Sequence, residues 1–177
     1  TFHFRQDSSF LYFFGLDFQG LAGVVDFDNG EDYIFGNDVD IEDIIWMGAQ
    51  VPLKENATKS GIVNTAVFAK LFDFVLEAIK KGRRVHILPP YRGDNKMLLE
   101  KLLGVSSLRI QEYVSLELIK AVIDIRSIKE LAELVEIKKA CATGYNMHVT
   151  AMKMAQPGTW EQKIAGTIEG IALAGGG

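Results

Sequence analysis

Histidine and cysteine side chains are the first groups of this sequence to consider for acid–base, nucleophilic or metal chemistry. The chain has three histidines, His3, His86 and His148, and one cysteine, Cys141. Cys141 and His148 share one face of a predicted helix, but they lie seven residues apart, which is too far for a nucleophile–base pair. We interpret His86 and His148 as packed structural residues and Cys141 as a buried, unreactive thiol. The His-Glu-x-x-His, Gly-x-Ser-x-Gly, P-loop and Gly-x-Gly-x-x-Gly motifs are absent from the sequence.

Acidic side chains are concentrated in two short stretches that could suggest a cation site. One contains Asp38, Asp40, Glu42 and Asp43, and the other spans residues 26–30. Neither matches a calcium loop, because the second stretch has its glycine one position early and the first has none at the required place. Helix capping and favourable helix-dipole interactions explain these acids. The residues therefore predict no catalytic group and no metal ligand within this chain.

Composition and charge narrow the class of protein. The chain has 177 residues, of which 48 % are hydrophobic and 24 % charged, with a net charge of −4. This acidic balance disfavours a nucleic-acid partner, and the absence of a long apolar run predicts no membrane association. A single cysteine favours a reducing compartment, so we predict a cytoplasmic protein. Because the sequence starts at Thr1 inside a patterned segment and ends on three glycines, we expect both ends to be cut from a longer protein.

The elements that would hold these residues in the first two thirds of the chain alternate between strand and helix. Asp7 predicts the cap of a helix over residues 8–14, and Asn29-Gly30 predicts a tight hairpin between two strands. The remaining predicted elements are a strand end at 4–6, a helix at 41–47, a helix from Asn64 to Lys81, a strand at 85–88, a helix at 98–103, a strand at 108–110 and a helix at 115–124. We predict an α/β fold over residues 1–124, with a mixed β-sheet flanked by helices.

The last part of the chain is predicted to be helical. Ser127 and Glu130 fit a capping box that would start a helix running to about residue 155, and Thr159 and Gln162 fit a second box. The first helix has an apolar stripe at Leu134, Ile137, Cys141, Tyr145, His148, Met152 and Ala155. The second presents Trp160, Ile164, Ile168 and Ile171. We predict that residues 125–177 open a second domain, whose missing remainder covers these faces.

Several segments of the sequence resemble a known family of enzymes. The segment from Arg5 to Gly15, Arg-Gln-Asp-Ser-Ser-Phe-Leu-Tyr-Phe-Phe-Gly, is similar to a segment of aminopeptidase P, the Xaa-Pro aminopeptidase. The predicted hairpin and the segment from Asp40 to Gly48 also resemble the amino-terminal domain of that family. The segments 125–140 and 156–161 resemble the opening of its catalytic domain, although these motifs recur in creatinase, prolidase and methionine aminopeptidase.

The resemblance implies a creatinase-like amino-terminal domain at 1–124 and a truncated pita-bread metallopeptidase domain at 125–177. In such enzymes two metal ions, usually manganese, are held by two Asp, one His and two Glu that lie beyond this chain. The implied function is removal of the first residue from peptides with proline in second position, by a homo-oligomer. This chain would supply channel-shaping and oligomer contacts, with Trp46 as a candidate wall of the substrate channel, and would be inactive alone.

Two alternatives remain open at this point. A pita-bread protein without metals would act as a peptide- or protein-binding module, and a prolidase or creatinase relative would use the same scaffold for another substrate. The metal ligands after Gly177 would distinguish the binding module from the enzymes.

Overall fold

The computed structural model describes residues 4–176, so His3 lies outside the described residues. The chain divides into two compact units, of which the first ends at Ser115 and the second begins at Leu116. The predicted domain boundary between residues 124 and 125 falls inside a continuous helix, Leu116–Ser127. The assignment of residues 1–124 and 125–177 to two domains stays a prediction.

Helix α1 (Ser8–Phe14) forms as the sequence predicts. The Asp7 carboxylate accepts the backbone N–H groups of Ser9 and Phe10 at 2.9 and 3.0 Å, and Gly15 ends the helix at φ 65°, where a side chain would be strained. The predicted strand end at residues 4–6 is wrong, because the described backbone there is irregular. The Gln6 amide instead donates to the carbonyl oxygens of Leu16 and Phe18, which ties this segment to the loop after α1.

A three-stranded mixed sheet lies at the centre of the first unit. Strand β1 (Ala22–Asp26) pairs antiparallel with β2 (Glu31–Phe35), and β3 (Asn64–Ala66) pairs parallel with β2. The loop between β1 and β2 has four residues rather than the tight Asn-Gly pair, and only Gly30 has a positive φ there. The longer loop is stabilised locally, because the Asp26 carboxylate accepts the backbone N–H groups of Asp28 and Asn29.

Helices α2 (Ile41–Met47), α3 (Leu53–Lys59) and α4 (Lys70–Lys80) follow the hairpin. The helix predicted to begin at Asn64 begins at Lys70 instead, because residues 64–66 pair with β2 as the third strand. Asn37, which is 31 residues before Phe68 in the sequence, supports this arrangement, since its side-chain oxygen accepts the N–H of Phe68 at 3.0 Å. The sequence analysis did not predict α3.

The remainder of the first unit contains less strand than predicted. Residues 85–88 form only one isolated parallel bridge, between Ile87 and Val114, and are not a full strand. Helix α5 (Gly93–Leu103) begins five residues before its predicted start at residue 98. The predicted strand at 108–110 is also wrong, since a 3-10 helix forms at Ile110–Tyr113.

Two apolar clusters form the core, one on each face of β2. Because strand side chains alternate between faces, Ile34 packs with Phe14 and Leu53 while the neighbouring Phe35 packs with Leu71. Helices α1 and α3 contribute to the first cluster and α4 to the second. The predicted α/β class, a mixed sheet flanked by helices, is confirmed.

The second unit contains helices α6 (Leu116–Ser127), α7 (Leu131–Met154) and α8 (Glu161–Ala174). The capping box of α7 is formed by Glu130 and Glu133 rather than by Ser127, whose hydroxyl donates to the Ile123 carbonyl within α6. The second predicted capping box does not form, because Trp160 occupies the capping position of α8 without a side-chain hydrogen bond.

Helices α7 and α8 pack against each other, but no residue of either helix is fully buried in the described chain. Several side chains of the predicted stripe on α7 are exposed, including Cys141, Tyr145, His148 and Met152. The interpretation of Cys141 and His148 as packed residues is therefore wrong for this chain. Their stripe is apolar, but nothing in the described part of the chain covers it.

Candidate functional site

Trp46 lies on a helix that presents most of its apolar side chains to solvent. Helix α2 is short, and Asp40 starts it by accepting the N–H of Asp43 at 2.8 Å. The indole of Trp46 is 88 % exposed. Its large apolar neighbours on the helix are exposed as well, and together they form what we name the α2 surface: Ile41, Ile44, Ile45, Trp46 and Met47.

The acids around the α2 surface have structural partners, as the sequence analysis expected. Asp40 caps α2, and Asp38 accepts the N–H of Leu53 at 2.6 Å at the start of α3. Glu42 and Asp43 lie in the first turn of α2, where the helix dipole favours negative charge. With these acids explained, the α2 surface has an apolar character typical of a binding surface rather than of a reacting centre.

A polar cleft brings together two parts of the chain that are distant in sequence. It has a volume of about 360 Å³ and is lined by Arg5, Gln6, Asp7, Ser8, Tyr91 and Arg92. The Arg92 guanidinium donates to the Arg5 carbonyl at 3.2 Å and lies 5.8 Å from the centre of the Tyr91 ring. The sequence analysis missed this cleft, because no local pattern connects residue 5 with residue 92. We name these six residues the Arg5–Arg92 cleft.

An ion pair ties the hairpin to the segment after α4. Asp26 is only 3 % exposed, and Arg83 donates two hydrogen bonds to its carboxylate, one of them 3.0 Å long. These hydrogen bonds are the main cause that lowers the pKa of Asp26 below its usual value. They also raise the pKa of Arg83, which forms a second ion pair with Asp28. The lowered pKa has a structural cause, so we assign this cluster to stability and not to catalysis.

The described residues do not form a catalytic or metal centre from the histidines. His86 Nδ1 lies 2.6 Å from the Ser115 hydroxyl, which agrees with the interpretation of this histidine as a structural residue. His148 and Cys141 are both exposed on α7. From residue 4 to residue 176, no three His, Cys, Asp or Glu side chains come together in a way that could hold a metal ion.

Within the described range, no helix has the length and apolarity that crossing a bilayer requires.

The family model of the aminopeptidase P N-terminal domain matches residues 1–88. A search of curated proteins and a search of solved structures each gave no match. The matched segment contains α1, the hairpin, the α2 surface, α3, β3 and α4, which includes the buried residues of both core clusters. The first half of this chain therefore belongs to the family of aminopeptidase P N-terminal domains.

Proposed function

We propose that this chain is the amino-terminal part of a metal-dependent Xaa-Pro aminopeptidase, which removes the first residue from peptides that carry proline in second position. The observation that carries the proposal is the match of residues 1–88 to the aminopeptidase P N-terminal domain. The single, exposed Cys141 favours a reducing compartment, and we place the protein in the cytoplasm.

We assign residues 125–177 to the first helices of a pita-bread catalytic domain. The sequence resemblance of residues 125–140 and 156–161 to that domain supports this assignment. So do the exposed apolar side chains of α7 and the residue before α8, among them Tyr145, Met152 and Trp160. Helices with exposed apolar stripes gain stability when further structure covers them, as the remainder of a catalytic domain would do.

The metal pair that such an enzyme uses is not assigned to this chain. A pair of divalent ions needs several carboxylate and imidazole donors close together, and the described residues do not bring even three such donors together. We therefore derive no catalytic step from these residues. Their contribution is to fold the amino-terminal domain and to present surfaces.

We further propose that the protein is a homo-oligomer and that Trp46 forms part of the wall of the substrate channel. The support is physical: an indole that is 88 % exposed contributes little to the packing of its own domain. A large aromatic surface of this kind stabilises a complex when a partner or a peptide covers it. A proline-containing peptide offers a rigid apolar ring of suitable size.

The function is tested with a short Xaa-Pro peptide such as Ala-Pro-Ala. We expect the parent protein that contains this sequence to release alanine, and we expect a chelator to abolish the activity and manganese to restore it. The 177-residue chain with added manganese should show no turnover. Turnover by the chain itself would contradict the assignment of its role, and an inactive parent protein that only binds the peptide would favour the non-catalytic alternative.

The role of Trp46 is tested by Trp46→Ala in the parent protein. Loss of the indole should raise KM for Ala-Pro-Ala about tenfold, because an aromatic contact that the bound peptide covers contributes on the order of 1–2 kcal/mol. Phe27→Ala is a matched control, since Phe27 is an aromatic residue 77 % exposed at the hairpin. Unchanged kinetics in Trp46→Ala, or an equal change in Phe27→Ala, would rule out a specific role of Trp46.

A further inference from the structure

We propose that the Arg5–Arg92 cleft binds the carboxylate of a small ligand, such as a free amino acid or the carboxyl end of a short peptide. The proposal does not depend on the peptidase assignment, because the cleft belongs to the folded first unit and is argued from its own contacts. An aminopeptidase recognises the amino end of its substrate, so a site for a carboxylate would be an additional one.

The cleft contains cationic groups that are not neutralised by the protein itself. Among the described residues, Arg83 and Arg109 form ion pairs with carboxylates, whereas Arg5 and Arg92 form none. The Arg92 guanidinium uses one N–H group on the Arg5 carbonyl, and a guanidinium carries five. Donors of both arginines are therefore available, and the planar guanidinium suits a carboxylate, which it can bind with two parallel hydrogen bonds.

Two other polar side chains of the cleft are already hydrogen-bonded within the protein. Gln6 donates to Leu16 and Phe18 and accepts the N–H of Asp7, so both of its side-chain N–H groups are used in holding the wall in place. The Asp7 carboxylate caps α1. Ser8 and Tyr91 complete the lining, and each carries a hydroxyl group that can donate a hydrogen bond.

The charge and size of the cleft select the class of ligand. Two arginines and one aspartate give the lining a net charge of +1, which a single carboxylate balances. A phosphate dianion would exceed that charge and would approach Asp7 at an electrostatic cost. The volume of about 360 Å³ lies at the lower end of the range of ligand pockets, so the rest of the ligand must be small. The Tyr91 ring offers it an apolar surface.

Two hydrogen bonds connect the backbone segments of the cleft before any ligand arrives. The hydrogen bond from Arg92 to the Arg5 carbonyl closes the cleft across 87 residues of sequence. The Gln111 side chain donates to the Pro90 carbonyl at 3.4 Å and supports the loop that carries Tyr91 and Arg92. Because the two backbone segments are already joined, binding has to order only the side chains of the cleft.

The test is an NMR titration of the 177-residue chain with N-acetylglycine as the carboxylate and N-acetylglycinamide as its neutral match. We expect N-acetylglycine to shift the backbone amide signals of Ser8 and Arg92 saturably, with a half-saturation on the order of 1–10 mM. The neutral amide should cause no saturable shift. Inorganic phosphate, the second probe, should bind more weakly than N-acetylglycine. The proposal is overturned if no saturable shift occurs, if the neutral amide binds equally well, or if phosphate binds more tightly.

Variants of Arg5 and Arg92 test whether these two side chains bind the carboxylate. Arg5→Gln leaves the Arg5 carbonyl that Arg92 binds and should raise the half-saturation concentration about tenfold, the effect of losing one charge-assisted contact. Arg92→Gln should weaken binding at least as much. Arg84→Gln removes the same charge at an exposed position outside the cleft and should leave binding unchanged. Equal weakening in Arg84→Gln would mean that the overall charge, and not the cleft, attracts the ligand.

Discussion

The ion pair of Asp26 and Arg83 shows how one buried carboxylate organises its surroundings. Asp26 accepts hydrogen bonds from the backbone of the hairpin loop and from Arg83, which lies 57 positions further along the chain. A buried carboxylate is stable only when such partners compensate for its lost hydration. The pair therefore ties the loop conformation to the position of the segment after α4.

The lowered pKa of Asp26 gives a prediction for the dependence of stability on pH. A carboxyl group whose pKa is lower in the folded state stabilises the fold at pH above its unfolded pKa, which is near 3.8. That stabilisation is lost as the pH falls through the folded pKa. Asp26→Asn should therefore lower the urea midpoint at pH 7 and reduce the loss of stability that occurs as the pH falls below about 4.

The measurement for Asp26 is urea unfolding followed by the NMR amide signals of β2, at pH 7 and at lower pH. Asp32→Asn serves as the control, because Asp32 is exposed on the same sheet and should leave the midpoint nearly unchanged. If the two variants behave alike at every pH, the ion pair has no specific effect on stability.

Gly23 is a second residue whose identity the packing requires. A Cβ atom at this position would fall against the ring of Phe14 in the core. Gly23→Ala should destabilise the first unit by about 1–3 kcal/mol, because the ring must move out of a packed cluster. Gly93→Ala, at a helix position with open space around it, should not destabilise the unit. Calorimetric melting of both variants distinguishes the outcomes, and an unchanged Tm for Gly23→Ala would contradict this account of the core.

At the scale of elements, structure determined by local signals was predicted well. Structure that depends on pairing between distant segments was not predicted. The helix at residues 8–14 was predictable because Asp7 and Gly15 determine its ends through contacts within the same segment. Strand β3 was not predictable, because residues 64–66 become a strand only through pairing with β2, some thirty positions away. Residues 85–88 have the sequence pattern of a strand but form a single bridge, because strand formation depends on a partner elsewhere in the chain.

The α2 surface and the Arg5–Arg92 cleft also differ in how far the sequence could predict them. Trp46 was identified from the sequence because its segment resembles a known family, but its exposure required the structure. The Arg5–Arg92 cleft could not be found from the sequence, since its two halves are 87 residues apart. A pattern of spacing detects sites within one helix or one strand, and it does not detect sites that tertiary contacts create.

Helix α4 offers a test of how the sheet is covered. Leu71 is 3 % exposed and belongs to the cluster with Phe35, whereas Leu76 is 48 % exposed on the same helix. Leu71→Ala should cost about 2–5 kcal/mol of unfolding free energy, because it removes a buried side chain and leaves a cavity. Leu76→Ala makes the same chemical change with the same helix propensity and should cost less than about 1 kcal/mol. Urea unfolding of the pair measures both values, and similar costs would mean that α4 does not pack as described.

At the scale of the molecule, the two units differ in how completely they bury their apolar residues. The first unit has two buried clusters on either face of β2. In the second unit, none of the residues of α6, α7 or α8 is buried within the described chain. This difference agrees with the proposal that the first unit is an amino-terminal domain with its own core, and that α7 and α8 are part of a larger domain.

The most direct test of the central claim is the substrate preference of the parent protein. It should release the first residue from Ala-Pro-Ala at least tenfold faster than from Ala-Ala-Ala, because the proposed site selects proline in second position. It should not prefer the dipeptide Ala-Pro, which a prolidase relative would cleave, or convert creatine. A faster reaction with Ala-Pro or creatine, or no hydrolysis of any of them in the presence of manganese, would contradict the account.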